Sequence, residues 1–286
     1  METITRKIEF ELSAGVWTDV TADNLPEYPV TWEDGIRSNS PVELLAGGSL
    51  LHFVMDNGAT NSAGLAGYYS PGHANCRSGF AEKMRVRFSL ISGGTTYYQN
   101  IYWLKKPKPS AGLWGGRITE CEAMDWLEMM AQTPMPALAA QVDKRMDELA
   151  ALLLAALATA PAATSYETGA SIFPTAYDVD RIERDTVYSA LAKLCRSEIG
   201  RIYLQPGATA GLLRVEDRTY RLENTASLGT LADTMDGLEL DPGDDLAFGS
   251  VEVTITPRRA DTASVVLARL ADHPELAPGE TRTFTL

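Results

Sequence analysis

The sequence predicts a β-rich α+β fold whose elements follow the order β, helix, β. Short runs of alternating polar and apolar residues, separated by turn residues, fill roughly the first 120 positions. Helical stretches follow up to Gly200, with apolar residues at steps of three and four, the spacing of helices with one buried face, and with a looser stretch at residues 161–180 before the last of them. From Arg201 onward the alternating period of a strand returns.

The first region contains runs with the period and composition of strands. Turn-forming pairs separate them, among them Asp34-Gly35, Gly47-Gly48 and Asn57-Gly58. Many short strands with regular turns predict a compact antiparallel sandwich or barrel. The runs are "KIEFEL", "WTDVT", "SLLHFVM", "KMRVRFSLI" and "TTYYQNIYWL".

Three helical stretches follow. "EAMDWLEMMAQ" has helical spacing, and Asp125 stands where an acid favours the start of a helix. Residues 135–160 predict one long helix that Pro161 ends, and "DTVYSALAKLCRSEIG" predicts another whose left-handed cap is Gly200. The apolar stripe of the long helix consists of Leu138, Val142, Met146, Leu149 and Leu153.

The last region returns to strands. "RIYLQPG" and "GLLRVEDRTYRL" predict a hairpin around a glycine-rich loop. In "GSVEVTITPRR", Val251, Val253 and Ile255 fall on one face of a strand. The final "GETRTFTL" has the pattern of a strand with no turn after it, so we expect the native protein to continue beyond Leu286.

The composition excludes several classes of function. Lysine and arginine number 25 against 38 acidic residues, a net charge of −13 that disfavours binding to nucleic acid or to an anionic membrane. The longest apolar run, "LAALLLAALATA", is about half of the ~20 residues that a membrane span needs, so no membrane insertion is expected. The first residues lack the apolar core of a secretion signal. Three scattered cysteines predict free, buried thiols made in a reducing cytoplasm: Cys76, Cys121 and Cys195.

The stretch "GLAGYYSPGHANCRSGF" gathers Ser70, His73 and Cys76 within a few positions and therefore suggests nucleophilic catalysis. A Ser-Pro-Gly-His turn does not match the strand-to-helix elbow of hydrolases, and the sequence has no GxSxG. The alternative is a structural turn between strands, with Tyr68 and Tyr69 as anchors. The second interpretation explains the glycines and the proline, and no enzyme activity is predicted.

No metal or cofactor is predicted. The three histidines, His52, His73 and His273, lie in separate segments, whereas a zinc site needs close ligands. The acidic turn at residues 241–245 lacks the ligand spacing of a calcium loop. Glu120 and Glu122 are expected on one face of a strand, and no phosphate-binding or dinucleotide fingerprint occurs.

The order of several stretches resembles a known family. These are "VWTDVTADNL", "GLAGYYSPGHANCRSGF" before "MRVRF", "AMDWLEMM", "SEIGRIYL" with "GLLRVEDRTYR", and "VEVTITPRR". Together they resemble the minor tail proteins of long-tailed bacteriophages, specifically those related to the baseplate or tail-tip hub. The resemblance extends from Val16 to Leu286.

The resemblance implies two β-barrel-like domains joined by a helical segment. The first barrel would occupy residues 1–123, the connecting segment 124–200 and the second barrel 201–286. It further implies a homotrimeric structural protein of the virion tail tip, assembled in the host cytoplasm. Six barrels would then form a ring between the sixfold tail tube and a threefold tip. The expected partners are further copies of the chain, the distal tail or tail-tube protein, the tape-measure protein, and tip fibre or spike proteins, with DNA only in transit through the lumen.

The resemblance also assigns a role to the tyrosine-rich stretch, which would be a loop for packing or subunit contact. An acidic lumen that repels DNA is a further hypothesis from the net charge. Three other interpretations stay open: another ring-forming tail-tip protein, a carbohydrate- or receptor-binding module using Trp103, Trp114 and Tyr97, and a hydrolase of cell-wall polymer. The residues of the implied structural or assembly loop are Tyr68, Tyr69, Ser70, Pro71 and His73.

Overall fold

A computed structural model describes residues 4–35, 44–111, 116–177 and 185–224 of the chain. Four helices and mainly antiparallel sheets make up this part, which confirms the β-rich α+β class. The strands expected around Val251 and at the end of the sequence lie outside the described residues. The second barrel over 201–286 therefore stays a prediction, as do the domain boundaries.

The largest sheet has eight strands in the order β2-β1-β5-β6-β8-β4-β3, with β7 also paired to β8. All of its pairings are antiparallel. Each of the five strand-like runs in the first region forms one of these strands. Their bounds are β1 Thr5–Ser13, β2 Val16–Asp19, β3 Thr31–Trp32, β4 Leu50–Asp56, β5 Arg85–Ser92, β6 Thr95–Leu104, β7 Lys108–Ser110 and β8 Ile118–Met124.

This sheet curls back toward itself. After β2, a 3-10 turn at Thr21–Asp23 carries the chain to β4, where Asn24 pairs with Met55. The inward residues of the strands then meet in a common core, as in a barrel. The first core, defined by its buried members, consists of Ile8, Phe10, Val20, Leu51, Phe53, Met55, Tyr69, Phe80, Met84, Val86, Phe88, Tyr102, Leu104, Cys121 and Ala123.

The remaining elements form a second body beside the sheet. The parallel pair β10–β13 and the antiparallel pair β12–β13 make a three-stranded sheet, and β9 pairs with β11. Helices α1 to α3 pack against the three-stranded sheet around a second core. The bounds are α1 Trp126–Gln132, β9 Lys144–Arg145, α2 Met146–Ala155, β10 Ala163–Tyr166, β11 Ile172–Phe173, α3 Val187–Glu198, β12 Arg201–Gln205, β13 Leu212–Glu216 and α4 Tyr220–Glu223. None of the helices in the described part of the chain combines the length and apolarity needed to cross a bilayer.

Strand β6 belongs to both cores. Because successive side chains of a strand point to opposite faces, Tyr102 and Leu104 enter the first core while Ile101 and Trp103 enter the second. Tyr98 of the same strand also exchanges two backbone hydrogen bonds, of 2.9 and 2.8 Å, with Gly207 in the β12–β13 connection. The strand is therefore a wall shared by the two bodies.

The long helix expected over residues 135–160 is wrong in its first and last parts. Only Met146–Ala155 is helical, because residues 141–145 pair with residues 172–176 instead. Asp143 takes a left-handed conformation with φ 52°, which a continuous helix cannot contain. Tertiary pairing thus overrides the apolar period, and Val142 of the expected stripe is 45% exposed.

The left-handed cap of α3 is Ile199 (φ 58°), one residue before the expected Gly200. Gly200 is required for a different reason: a Cβ there would lie 2.5 Å from the Glu216 carbonyl oxygen and 2.9 Å from the sulfur of Met146. The glycine therefore permits β12 to begin directly against the second core, and the adjacent isoleucine occupies a conformation that suits β-branched residues poorly.

We expect Ile199→Gly to stabilise the protein. The side chain is 62% exposed, so little packing is lost, while the cost of a left-handed β-branched residue is removed. The free energy of unfolding, from urea titration, should rise by about 1 kcal/mol. Gly200→Ala, the matched substitution at the adjacent position, should lower the free energy of unfolding. Equal effects of the two substitutions would contradict this assignment.

Candidate functional site

Residues 57–84, which join β4 to β5 and are called here the closing loop, contain the tyrosine-rich stretch. The loop is held by asparagine side chains. The Asn57 carboxamide accepts a hydrogen bond from the Tyr69 amide (2.8 Å) and donates one to the Ser70 hydroxyl (2.7 Å). Asn61 donates to the carbonyls of Gly58 (2.7 Å) and Leu65 (2.9 Å). Such side-chain bonds replace secondary structure in a loop and fix its shape.

Tyr69 is the centre of the loop's packing. Its ring is fully buried and contacts Phe10 and Phe80 of the first core at near-perpendicular angles, with centroids 6.2 and 5.2 Å away. The hydroxyl of Thr119 in β8 donates to the Tyr69 carbonyl (2.8 Å). Tyr68 packs edge-on against the same ring at 5.2 Å. Tyr69 therefore stabilises the interior of its own chain and presents no surface to a partner.

The Tyr69 hydroxyl ends in a buried polar cluster. It donates to the Asp23 carboxylate (2.5 Å) and accepts from the Arg77 guanidinium (3.0 Å). Asp23 also accepts from the amide (2.6 Å) and the hydroxyl (2.7 Å) of Ser62. Burial and the adjacent Asp23 carboxylate raise the pKa of Tyr69 well above its usual range. The hydroxyl thus stays protonated and serves as a donor.

The side chains of the three residues that suggested nucleophilic chemistry do not bond to one another, and only their backbones do, His73 to Ser70 (3.0 Å) and Cys76 to His73 (2.9 Å). Ser70 accepts from Asn57, the ring nitrogen Nδ1 of His73 accepts from the Asn75 amide (3.1 Å), and the Cys76 thiol lies against the backbone carbonyls of Arg77 and Phe80. Burial raises the pKa of the Cys76 thiol, which reduces the thiolate that a nucleophile needs. The geometry of the described loop is that of a structural element.

The predicted loop residues differ in exposure, which separates those that pack inside the chain from those that can contact another molecule. Tyr69 is buried, Tyr68 and Ser70 are half-buried, and Pro71 and His73 are exposed. Only the exposed tip can touch another molecule. The sequence alone did not reveal the partners of Tyr69, since Asp23 and Thr119 lie about 50 positions away on either side.

We expect Gly79→Ala to destabilise the protein by about 2–3 kcal/mol, through left-handed strain together with overpacking. Gly79 has φ +83°, and a Cβ there would lie 2.2 Å from the Leu12 carbonyl oxygen in β1. Gly72, at φ +84° in the same loop, has nothing within 4 Å of the corresponding position and supplies the control. In urea titrations Gly72→Ala should cost only the conformational part, about 1 kcal/mol. If the two variants unfold at the same urea concentration, the contact with β1 has no energetic weight.

A second buried group lies where the first body joins the second. Asp125, the residue between β8 and α1, is 2% exposed, and its carboxylate accepts from the Glu128 amide (2.7 Å) as the cap of α1. Its own amide donates to the Ser49 carbonyl (2.9 Å). Burial, reinforced by the neighbouring charges of Asp34 and Glu128, raises the pKa of Asp125 to about 7. The position of Asp125 at the start of a helix was predicted from the sequence. The raised pKa was not, because it arises mainly from burial, which the three-dimensional fold creates.

The outer face of strands β1, β5 and β6 carries paired charges. The Glu9 carboxylate binds Arg87 (2.7 Å) and Lys7 (2.9 Å), and the Arg87 guanidinium lies over the rings of Trp17 (4.5 Å) and Tyr98 (4.8 Å). Burial opposes the charged form of Glu9, but the hydrogen bonds from Arg87 and Lys7 outweigh it and lower its pKa. The charges here stabilise the sheet.

The described residues contain no group of three or more histidine, cysteine or acidic side chains placed to hold a metal ion. His52 lies in β4, whereas His273 and the acidic turn at 241–245 fall outside the described residues. Glu120 and Glu122 share one face of β8, as expected, and Glu122 forms an ion pair with Lys105 (2.5 Å) that lowers its pKa. Of the aromatic residues considered for carbohydrate binding, Trp103 lies in the second core, Tyr97 is 48% exposed, and Trp114 is not among the described residues.

The described residues thus define a β-rich α+β protein in which a curled antiparallel sheet is closed by a loop and joined to a helical body. No protein-family model matches the chain, and no curated protein matches it. Among solved structures, the tail protein from Neisseria meningitidis MC58 is similar to the chain at 14% identity and a TM-score of 0.45. That comparison covers 74% of this chain and 50% of the other.

Two further solved structures show the range of the similarity. The 43 kDa tail protein of prophage MuSo2 from Shewanella oneidensis is 10% identical with a TM-score of 0.45, over 74% of this chain and 56% of the other. The c3393 protein of E. coli, a component of the type VI secretion system, is 9% identical with a TM-score of 0.36, over 76% and 46%. The chain spans about half the length of these proteins. The structures named here are thus two tail proteins, one of them from a prophage, and a type VI secretion component.

Proposed function

We propose that the chain is a structural component of a bacteriophage tail or tail-like machine and forms the trimeric hub ring at the tail tip. In this role it joins the sixfold tail tube to threefold tip, fibre or spike proteins and encloses the channel for DNA. Further copies of the chain, the distal tail or tube protein and the tape-measure protein are its proposed neighbours. The proposed role is non-enzymatic.

The observation that supports this proposal most is the structural role of the "YYSPGH" stretch in closing the curled sheet. These residues carry the family resemblance, and in the fold they close a curled antiparallel sheet with their polar groups engaged in internal hydrogen bonds. A tail ring needs a rigid β-structure, and such a loop contributes rigidity. The order of a β-rich body, helices and a returning β-hairpin also agrees with the arrangement that the resemblance implies.

Copy number in purified tail particles tests the proposal. Quantitative mass spectrometry against the tail-tube protein should give about three copies per particle, as a closed threefold ring requires. About six copies would favour a neighbouring ring over the hub. Absence of the chain from particles would overturn the structural role and favour carbohydrate binding.

The exposed tip of the closing loop is the proposed subunit contact, and a charge placed there tests it. Pro71→Glu should reduce trimer formation in light-scattering measurements of the purified chain, while Pro71→Ala, which also removes the ring but adds no charge, should assemble normally. Pro71 is exposed, so neither change removes packing from the core. Normal trimers of Pro71→Glu would remove the loop tip from the interface.

A further inference from the structure

The first body has an open groove of about 490 Å3 beside strand β1. Its walls come from three elements: Ile4 and Arg6 at the start of β1, Val30 and Trp32 around β3, and Phe88 and Leu90 in β5. Trp32 lies across the floor with its ring centroid 4.9 Å from that of Phe88. The groove is apolar except for Arg6 and the neighbouring Thr5.

One edge of the groove is the start of β1, which pairs with β5 on one side and has no partner strand among the described residues on the other. Strand β2 covers β1 only from Glu9 onward. Ile8 directs its backbone away from β5, since its amide donates to the Thr21 hydroxyl (3.0 Å) and its carbonyl accepts from the Val20 amide (2.9 Å). Alternate residues of an antiparallel strand direct their backbone groups to the same side, so Arg6 points its amide and carbonyl the same way. None of the described residues bonds to them there.

The opposite edge is β3, which ends the sheet order and pairs only with β4 among the described strands. An open seam therefore runs between the start of β1 and β3. An unpaired edge of this kind templates the addition of another strand. Apolar walls below it provide sites for every second side chain of that strand.

The positive charge of Arg6 favours an acidic occupant of the groove. The Arg6 side chain is half-buried, lines the groove and has no ion-pair partner among the described residues. This local cation complements a carboxylate that arrives from another molecule. Apolar contacts at Trp32 and Leu90 would flank that carboxylate.

We propose that this groove binds an extended strand of a partner protein, which adds to the free edge of β1 with alternate apolar side chains and one acidic side chain directed at Arg6. Backbone bonds to Arg6 provide the pairing, and the arginine selects an acidic segment over a basic one. This inference concerns the isolated chain and goes beyond the tail role.

The test uses a capped seven-residue peptide with valine at its first, third and seventh positions, glutamate at its fifth and threonine elsewhere. Titration calorimetry should show saturable binding, and hydrogen–deuterium exchange should show protection of residues 4–8. Arg6→Glu should weaken this binding about tenfold and bind a peptide with lysine in place of glutamate better. N-methylation of alternate peptide amides should abolish binding. Unchanged circular dichroism and thermal midpoint of Arg6→Glu establish that the fold is intact.

Three outcomes would overturn the proposal. The first is the absence of binding by either peptide up to millimolar concentration. The second is binding that is insensitive to the charge swap or leaves residues 4–8 unprotected. The third is a dimer of the chain itself that protects the same residues and excludes the peptide, because the occupant would then be a second copy.

Discussion

Tyr69→Ala is expected to lower the free energy of unfolding by about 4 kcal/mol, the cost of deleting a large aromatic side chain from a core. The ring is fully buried between Phe10, Phe80 and Tyr68, so its removal leaves a cavity. The same change deprives the buried Asp23 carboxylate of a donor. Urea titration of the isolated chain measures the effect.

Tyr69→Phe is the matched control, because it keeps the ring and removes only the hydroxyl. It should cost about 1.5–3 kcal/mol, the value of a hydrogen bond to a charged group. The difference between the two variants then isolates ring packing. If Tyr69→Ala leaves the stability of the chain unchanged and only weakens association, the residue acts between subunits and its position in the first core is wrong.

The second large effect is a pH dependence centred on Asp125. The pKa of this carboxyl is about 7 in the folded chain against an ordinary value of 3.8, so the folded state holds a proton that the unfolded state releases. Its contribution is fully present below pH 4 and is lost as the pH rises through 7. Between those limits we expect a gain of about 1.4 kcal/mol for each pH unit of acidification, roughly 4 kcal/mol in total.

Asp125→Asn isolates this effect, because asparagine also caps helices but does not titrate. Urea titrations between pH 5 and pH 8 should show wild-type stability rising relative to the variant as the pH falls. Carboxylates whose pKa is lowered, such as Glu9 and Glu122, act in the opposite direction but only below about pH 4.5. Parallel curves for the two proteins across this range would contradict the buried, protonated Asp125.

The strands were the most predictable part of the fold. Alternation reports directly which side chains face a core, so "KIEFEL" and "SLLHFVM" became β1 and β4. The helix over 135–160 failed where distant backbone pairing competed with a local period: the ladder to residues 172–176 exists only in three dimensions. Gly200 marks a position that needs glycine, but for a different reason from the one predicted. A left-handed cap and a close approach to Glu216 both favour glycine, and the sequence alone does not distinguish them.

The closing loop shows that composition predicts a structural turn but not the burial and partners of its side chains. Its glycines and proline predicted a structural turn, and the bonds of Ser70 agree with that interpretation. The buried Tyr69 bonds to Asp23 in the 3-10 turn and to Thr119 in β8, and no local sequence pattern predicts contacts between segments so far apart. The same limit applies to Asp125, whose capping role is local while its pKa is set by surroundings gathered from several segments.

The two-sided burial of β6 has a mechanical consequence. A pull applied to the helical body would be resisted at β6, by Trp103 and by the pairing of Tyr98 with Gly207, and at residues 44–46, which bond to Ile202. Opening either body would disturb residues 101–104 of β6, which supply alternate side chains to the two cores. We therefore expect the amide protons of these residues to exchange at the rate of global unfolding, and calorimetry to give one transition where two modules joined by a linker would give two.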